Sequence, residues 1–229
     1  MVSLKTFSLF SSLSDVQDQK WSSLCNVTEH GEHELIVDFL DESHDVRFII
    51  SGRVRVILRF ATGQEAILGE FGDGDFFGEQ AAIDGQARSA NITAMVSTKL
   101  LSVPRTVFVD IMRDAPDVAI ELLKILSARI RDLNMRVAER SFLKAKYRLY
   151  SELLRLSRPR MGHQGQRIVS PPPVQQALAE RIGCSREAVS REMASLDRAD
   201  VIERARGGVV LKDVQELSRR ISAGWNDTS

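Results

Sequence analysis

A chain of 229 residues, 43% hydrophobic and 27% charged, has the composition of a globular protein long enough for one or two domains with real cores. Its formal net charge of +0 conceals a division: residues 1–115 hold 10 Lys+Arg against 17 Asp+Glu, a balance of −7, and the remainder hold 21 against 14, a balance of +7. An acidic half joined to a basic half predicts that only the second meets nucleic acid. The two cysteines, Cys25 and Cys184, cannot build an intrachain iron–sulfur ligand set or a disulfide framework; both read as reduced, buried small hydrophobes. No run approaches the ~20 apolar residues of a membrane span, and the opening residues lack a signal-peptide core. The chain is therefore expected in the cytoplasm, without a membrane partner.

Residues 1–28 read as a helical lead-in, because Leu9, Phe10, Leu13, Trp21 and Leu24 recur at roughly helical intervals. From about 29 to 110 the pattern changes to short strands. Val46–Ile50 and Arg53–Phe60 are strand-like, with turns at Ser51-Gly52 and Thr62-Gly63, and 91–94 and 99–103 supply further strands. Many short strands between glycine turns predict a β-sandwich or β-roll. His30, His33 and His44 lie near Glu29, Glu32 and Glu34; this reads as a solvated polar loop, with a zinc site as the alternative.

Within this section lies a stretch with the chemistry of a phosphate trap: Phe71-Gly-Asp-Gly-Asp-Phe-Phe-Gly-Glu79, a bridge from Gln80 to Ala87, then Arg88-Ser89-Ala90-Asn91. Gly72 and Gly74 permit turns, and Gly78 permits close backbone approach to a ligand. A helical turn opening at Gly78-Glu79 aims free N–H groups at an anion. Arg88 offers a planar fork of donors, Ser89 a hydroxyl, and Glu79 an acceptor suited to a ribose hydroxyl. Loss of Arg88 is expected to cost ligand and leave the fold intact.

A helix is predicted from Pro116. Ala119, Leu123, Leu126, Ile130, Leu133 and Val137 stand 4, 3, 4, 3 and 4 residues apart, the spacing of a coiled-coil seam; a helix packed on its own domain is the other reading. Arg129, Arg131, Asp132, Arg136 and Glu139 lie off the seam. A further helix is read over 141–158, then a loop over 161–166. Pro171-Pro172-Pro173 is either a rigid linker or, at its last residue, the start of the next helix. Residues 174–182 form one helix, Gly183-Cys184 the turn, and Ser185 caps a second helix from Arg186. The segments 201–202 and 209–211, around a turn at 204–208, read as a β-wing. Arg186 and Arg191 can each bond guanine, and Glu187 can accept from cytosine. Gln176, Ser185, Ser190 and Arg206 are suited to phosphate contacts.

The cassette from Phe71 to Ala94, the opening Phe10-Ser-Ser-Leu-Ser14 and the Arg186-Glu187-x-x-x-Arg191 helix resemble the bacterial cyclic-AMP receptor (catabolite activator) transcription regulators of the Crp/Fnr superfamily, over nearly the full length. The resemblance implies an α+β fold: an N-terminal cyclic-nucleotide-binding β-roll (1–115), a long dimerisation helix (116–141) and a C-terminal winged helix-turn-helix (142–229). It implies a parallel homodimer reading palindromic double-stranded DNA with GTGA-like half-sites, with RNA polymerase as a further partner. The effector is then a cyclic nucleotide, cyclic AMP with cyclic GMP as second candidate, and no metal. The implied ligand set is Gly78, Glu79, Gln80, Ala81, Arg88, Ser89, Arg129 and Asn134. The implied DNA set is Gln176, Ser185, Arg186, Glu187, Ser190, Arg191 and Arg206.

Two departures from the family pattern matter. Ala188 replaces the commoner Thr, and Leu133-Asn134 replace a Thr-Ser pair that meets adenine. The Asn134 amide can accept from adenine or donate to guanine, so comparable affinity for both nucleotides is expected. Two alternatives are the same fold sensing a non-nucleotide ligand and a ligand-independent DNA-binding protein. No nucleophile–base pair or metal constellation supports an enzyme.

Overall fold

The structure, a computed structural model, describes residues 2–59 and 65–227. The expected end of a strand at Phe60 and the turn at Thr62-Gly63 lie outside the described residues. The chain divides into two compact units, with the division between Arg129 and Ile130.

The first unit opens with two short 3-10 turns and α1 (Asp15–Ser22). Ser14 closes a capping box with Gln17 at the start of α1. The strands are β1 (Asn26–His30), β2 (Leu35–Val37), β3 (Val46–Ser51), β4 (Arg53–Arg59), β5 (Glu65–Gly72), β6 (Phe76–Phe77), β7 (Asn91–Ala94) and β8 (Thr98–Val103), with α2 (Glu79–Asp84) between β6 and β7. They form two antiparallel sheets, in the orders β1-β8-β3-β6 and β2-β7-β4-β5. Ile49, Phe77 and Leu100 of the first sheet meet Val37, Val54 and Ile92 of the second in one core. Their chain neighbours Phe48, Phe76 and Leu101 point to the other face, into a core shared with Phe7, Phe10, Phe108, Val118 and Leu122. The period of two in a strand thus sends adjacent residues into different cores. A sheet covered on both faces has near-continuous apolar strands, and this explains why Val46–Ile50 does not alternate. Phe48 stacks against Phe7, Phe10 and Phe76 with centroids 5.0, 4.9 and 5.2 Å away.

Several boundaries differ from the sequence reading. The lead-in ends sooner: β1 begins at Asn26, and Leu24 is exposed rather than packed. The strands end at Val103, and 105–114 form α3 (Arg105–Asp114), whose β-branched run disguises the helical set Val107, Phe108 and Ile111. The helix from Pro116 runs to Phe142 as α4. One face of its opening turns, Val118 and Leu122, is buried in its own unit. The seam residues Leu123, Ile130, Leu133 and Val137 are 58–59% exposed. The reading of a helix packed on its own domain thus holds for these opening turns, where the seam residue Leu126 also packs on the core.

The second unit continues with α5 (Ala145–Leu156), shorter than expected because Phe142 closes α4 and Lys144 is the α5 N-cap. Then come β9 (Arg158–Pro159), β10 (Arg167–Val169), α6 (Gln175–Ile182), α7 (Arg186–Arg198), β11 (Ile202–Ala205), β12 (Gly208–Leu211) and α8 (Val214–Asn226). Pro173 does not start α6; Val174 is its extended N-cap. The β9/β10 pair and α8 carry no clear sequence signal, yet β10 joins the wing in the sheet β11-β12-β10-β9. Leu149, Leu153, Leu178, Val189, Leu196, Leu211 and Leu217 fill this unit's core. No helix among the described residues is long and apolar enough to cross a membrane.

Candidate functional site

In the first unit, Gly78 has φ +86 and stands at the N-cap of α2. The N–H groups of Glu79, Gln80 and Ala81 have no acceptor within the helix, because the first closing bond runs from the Ala82 N–H to the Gly78 carbonyl. Gly85, at φ +72, ends α2 after six residues and lets the chain return to Arg88.

Arg88 is 4% exposed. Its Nε donates to Ser43 Oγ at 3.1 Å, Nη1 to the Gly78 carbonyl at 3.1 Å and Nη2 to the Asp45 carbonyl at 2.8 Å. Its main chain is tied to the same loop, through Arg88 N–H to the Asp41 carbonyl and Leu40 N–H to the Arg88 carbonyl. Among the described residues three of five guanidinium donors are thus engaged in hydrogen bonds, two are not, and Nη2 also lies 3.8 Å from Asp45 Oδ1. Burial lowers the Arg88 pKa from its ordinary value, opposed by Asp45, Asp41 and Glu79. These bonds bear on two expectations. Arg88 is a structural tie as well as a donor. The close approach at Gly78 is made by Arg88 itself, since a Cβ there would lie 2.5 Å from Nη1 and 2.8 Å from the Asp45 carbonyl oxygen.

Glu79 is likewise 4% exposed. Its Oε1 accepts from Arg129 Nη1 at 2.8 Å, and Arg129 Nη2 donates to the Phe76 carbonyl at 3.0 Å. The Arg129 guanidinium also sits 4.7 Å from the Phe76 ring centroid and 5.0 Å from that of Phe71, within cation–π range. Ser89 and Gln80 are exposed and bonded to each other, Ser89 Oγ donating to Gln80 Oε1 at 3.0 Å. Ala81 is buried. Gly78, Glu79, Gln80, Ala81, Arg88, Ser89 and Arg129 therefore converge around α2. Asn134 lies exposed on α4 in the other unit. Ser43 and Asp45, which hold Arg88, have no motif of their own in the sequence.

The histidines are engaged locally. His30 Nδ1 lies 2.6 Å from Glu34 Oε1, and His44 Nε2 lies 3.2 Å from the Gly85 carbonyl. Among the described residues no group of three or more His, Cys, Asp or Glu could hold a metal ion. Both cysteines are free and half-buried rather than fully buried; burial pushes the Cys25 thiol up to about 11.

In the second unit, Gly183 at φ +66 ends α6, and Ser185 caps α7 by accepting from the Ala188 N–H. Arg186, Glu187 and Arg191 project from the opening turns of α7 and are exposed, while Val189, Met193 and Leu196 face the core. The Glu187 carboxyl is held below its ordinary value by its own backbone N–H, then by the Ser185 hydroxyl, with smaller help from Arg186 and Arg191. Gln176 is exposed and bonds Glu180 at 2.8 Å; Ser190 is half-buried. Arg206 is exposed at the wing tip, in the two-residue turn between Ala205 and Gly208, where Gly207 supplies φ +92. The sequence reading missed Glu192 and Tyr150. The Glu192 carboxylate follows Arg191 directly but turns inward to accept from the Tyr150 hydroxyl.

Comparison with known proteins places both sites in context. Residues 28–115 match the cyclic nucleotide-binding domain, and residues 147–220 match the Crp-like helix-turn-helix domain. The chain is 30% identical over 174 residues to the CRP-like cAMP-activated global transcriptional regulator of Mycobacterium tuberculosis, covering 75% of this chain and 77% of the relative. It is 32% identical over 169 residues to the cyclic AMP receptor protein of Thermus thermophilus, covering 74% and 76%. Among solved structures, a CooA variant from Carboxydothermus hydrogenoformans superposes with TM-score 0.77 at 21% identity over 96% of each chain. The Thermus thermophilus catabolite activator protein gives TM-score 0.53 at 27% identity over 94% of this chain and 98% of that one.

Proposed function

The chain belongs to the family of Crp-like transcription regulators that carry a cyclic nucleotide-binding domain, and from that membership we propose that it works as a cyclic-nucleotide-responsive homodimer that reads specific DNA. The observation that carries this reading is Arg88: a buried guanidinium, pre-oriented by three hydrogen bonds, with two donors left beside the open N–H groups of α2. A cyclic phosphate satisfies those donors, joined by the Ser89 hydroxyl. Glu79 keeps Oε2 for a ribose hydroxyl while Oε1 holds Arg129. Binding at Glu79 is thereby felt at Arg129, a residue of α4.

The exposed seam of Leu123, Ile130, Leu133 and Val137 supports pairing of two copies along α4. In the dimer, Asn134 is the group proposed to meet the purine, and cyclic AMP and cyclic GMP bind with comparable affinity. Arg186, Glu187 and Arg191 read GTGA-like half-sites of a palindrome, while Gln176, Ser185, Ser190 and Arg206 meet phosphates. The two half-sites then lie about 34 Å apart, one helical turn. The protein is proposed to act in the cytoplasm with RNA polymerase, without enzymatic activity or a metal.

The test is to titrate labelled duplex carrying paired GTGA half-sites, following anisotropy with cyclic AMP and cyclic GMP added separately. Either nucleotide is expected to tighten binding, and calorimetry is expected to give affinities within about a hundredfold of each other, roughly 2.7 kcal/mol. Binding that ignores both nucleotides overturns the effector reading. A larger preference, or an Asn134→Ala variant unchanged toward both, overturns the role of Asn134.

A further inference from the structure

The recognition helix α7 rests on its unit unevenly. Val189, Met193 and Leu196 anchor one face in the core. Beside that face, the start of α5, Cys184 of the turn, and Ala188, Val189, Arg191 and Glu192 of α7 line a solvent-open groove of about 200 Å³. Solvent in this groove gives α7 no packing partner on that side, and non-directional contacts set helix rotation poorly where neighbouring atoms are absent. One directional contact stands at this edge. Tyr150 of α5 is 2% exposed, and its hydroxyl donates to Glu192 Oε1. Tyr150 is itself fixed by an edge-on contact with Tyr147 at 5.9 Å between centroids. Burial, then the Glu192 carboxylate, raise the Tyr150 pKa, and a hydrogen bond with Arg220 of α8 opposes them. Arg220 in turn donates to Glu216 at 2.7 Å. Helices α5 and α7 thus meet at one phenolic oxygen.

At about 100° per residue, Arg186, Ser190, Glu187 and Arg191 fan across one face of α7, and Glu192 falls roughly 170° from the middle of that fan. A helix pinned at Glu192 presents the arginines outward; a helix free to roll does not. A roll of about 15° moves an atom about 6 Å from the axis by about 1.5 Å, enough to spoil bidentate bonding to a base edge, which needs placement within about 0.5 Å.

We propose that the Tyr150–Glu192 hydrogen bond is a positioning pair for base recognition: it fixes the rotation of α7, and so determines sequence preference without either residue touching DNA. The proposal rests on the DNA-reading function given above. Neither a family motif nor residue type marks Tyr150, and Glu192 in the sequence looks like one more polar residue of a solvated helix.

The experiment selects bound sequences from a duplex library with randomised half-sites, using the full-length wild type, Tyr150→Phe, Glu192→Ala and Glu192→Gln, each with cyclic AMP and with cyclic GMP. Melting temperature and affinity for a fixed unrelated duplex are measured alongside. Tyr150→Phe keeps the ring and loses only the hydroxyl. It and Glu192→Ala are expected to lower the preference for guanine at the positions read by Arg186 and Arg191 about fivefold or more, within the range one bidentate contact supplies. Affinity for the unrelated duplex, set by phosphate contacts, is expected to stay within about twofold. Glu192→Gln keeps an oxygen for the Tyr150 hydroxyl and is expected to retain the wild-type preference. If Tyr150→Phe and Glu192→Ala select the same sequences as wild type, or weaken all sequences equally, the pair only stabilises the fold and the proposal fails. A wild type that selects no sequence overturns the DNA-reading function itself, a result distinct from a selective wild type with equally selective variants.

Discussion

Arg88→Ala separates the structural tie that this side chain makes from the ligand contact proposed for it. The buried guanidinium makes three hydrogen bonds, two of them to the main-chain carbonyls of Gly78 and Asp45. A hydrogen bond to a charged group contributes about 1.5–3 kcal/mol, and a buried carbonyl left without a donor costs about 1–3 kcal/mol. Some of this is recovered where water enters the space vacated, so a loss of about 3 kcal/mol is expected. For a unit of this size that corresponds to a fall in melting temperature on the order of 6–12 °C. Arg88→Lys keeps the charge but has three donors on one flexible nitrogen instead of a planar fork, and is expected to fall between wild type and Ala. Ser89→Ala is the contrast: its exposed hydroxyl bonds only Gln80 among the described residues, so stability holds while nucleotide affinity drops. The assay is thermal unfolding with and without cyclic AMP or cyclic GMP, paired with calorimetry. Arg88→Ala should melt early and show no nucleotide-dependent rise, since ligand stabilisation requires binding to the native state. Melting within about 2 °C of wild type refutes the structural role, and wild-type affinity for both nucleotides refutes the site.

Gly78→Ala places a Cβ 2.5 Å from Arg88 Nη1 at a residue with φ +86; both the strain and the displaced arginine are expected to lower stability by about 1–3 kcal/mol and weaken nucleotide binding, read by melting and calorimetry. Leu123→Glu combined with Leu133→Glu puts charge on the exposed seam and should shift sedimentation from dimer to monomer without lowering helix content; an unchanged sedimentation coefficient places dimerisation elsewhere. Glu152 is buried and lies 3.6, 3.4 and 3.3 Å from Arg136, Arg155 and Arg181; Arg136 keeps Asp132 and Arg155 keeps Glu139 when it is removed, so Glu152→Ala is expected to cost about 1–3 kcal/mol, measured by urea unfolding beside the wild type. Burial works to raise the Asp45 carboxyl, but the Ser102 hydroxyl and Arg47 outweigh it and hold the group below its ordinary 3.8. The unfolded chain therefore binds that proton more readily, and the stability Asp45 contributes is fully present above about pH 4 and lost as pH falls through its folded pKa. Asp45→Asn should flatten the acid limb of stability against pH; an unchanged acid limb assigns it to other carboxylates.

What could be read in the sequence follows from how local each signal is. The helical turn at Gly78-Glu79, the Ser185 cap and the wing hairpin are set by residues a few positions apart, and the structure has them there, with the wing turn narrowed from 204–208 to the two residues between Ala205 and Gly208 and Gly72 inside β5. The α4 helix was legible for the same reason, because a 3-4 spacing is a property of one helix. Boundaries were less legible where apolar residues serve two surfaces at once. The run Thr106–Met112 has the β-branched content of a strand and becomes α3 because Val107, Phe108 and Ile111 cover the outer face of the first sheet. The loop that holds Arg88 was illegible because Ser43 and Asp45 are 45 and 43 residues away in the chain, and hydroxyls or carbonyls at that separation leave no pattern.

Arg129 shows where sequence reasoning ends and geometry begins. Along α4 it is one of five charged residues flanking the seam, beside Arg131, Asp132, Arg136 and Glu139, and nothing in the spacing distinguishes them. Folding assigns them to different partners. Arg136 bonds Asp132 at 2.7 Å, and Glu139 takes Arg155 at 2.6 Å. Arg129 crosses to Glu79, 50 residues earlier, and lies over Phe71 and Phe76. The charge that resembles a solvated flank is thereby the one held by a cassette carboxylate. A ligand that draws on Glu79 acts on the partner of Arg129, so the nucleotide proposed at α2 has a physical route into α4, which carries the exposed seam. Arg129→Gln retains a donor for Glu79 and removes the charge. If the route is real, this variant should bind nucleotide within about threefold of wild type yet lose most of the nucleotide-induced gain in DNA affinity, since only differential binding to two states moves an equilibrium. Equal loss of both binding and gain would make Arg129 a ligand contact alone, and retention of both would break the link between Glu79 and α4.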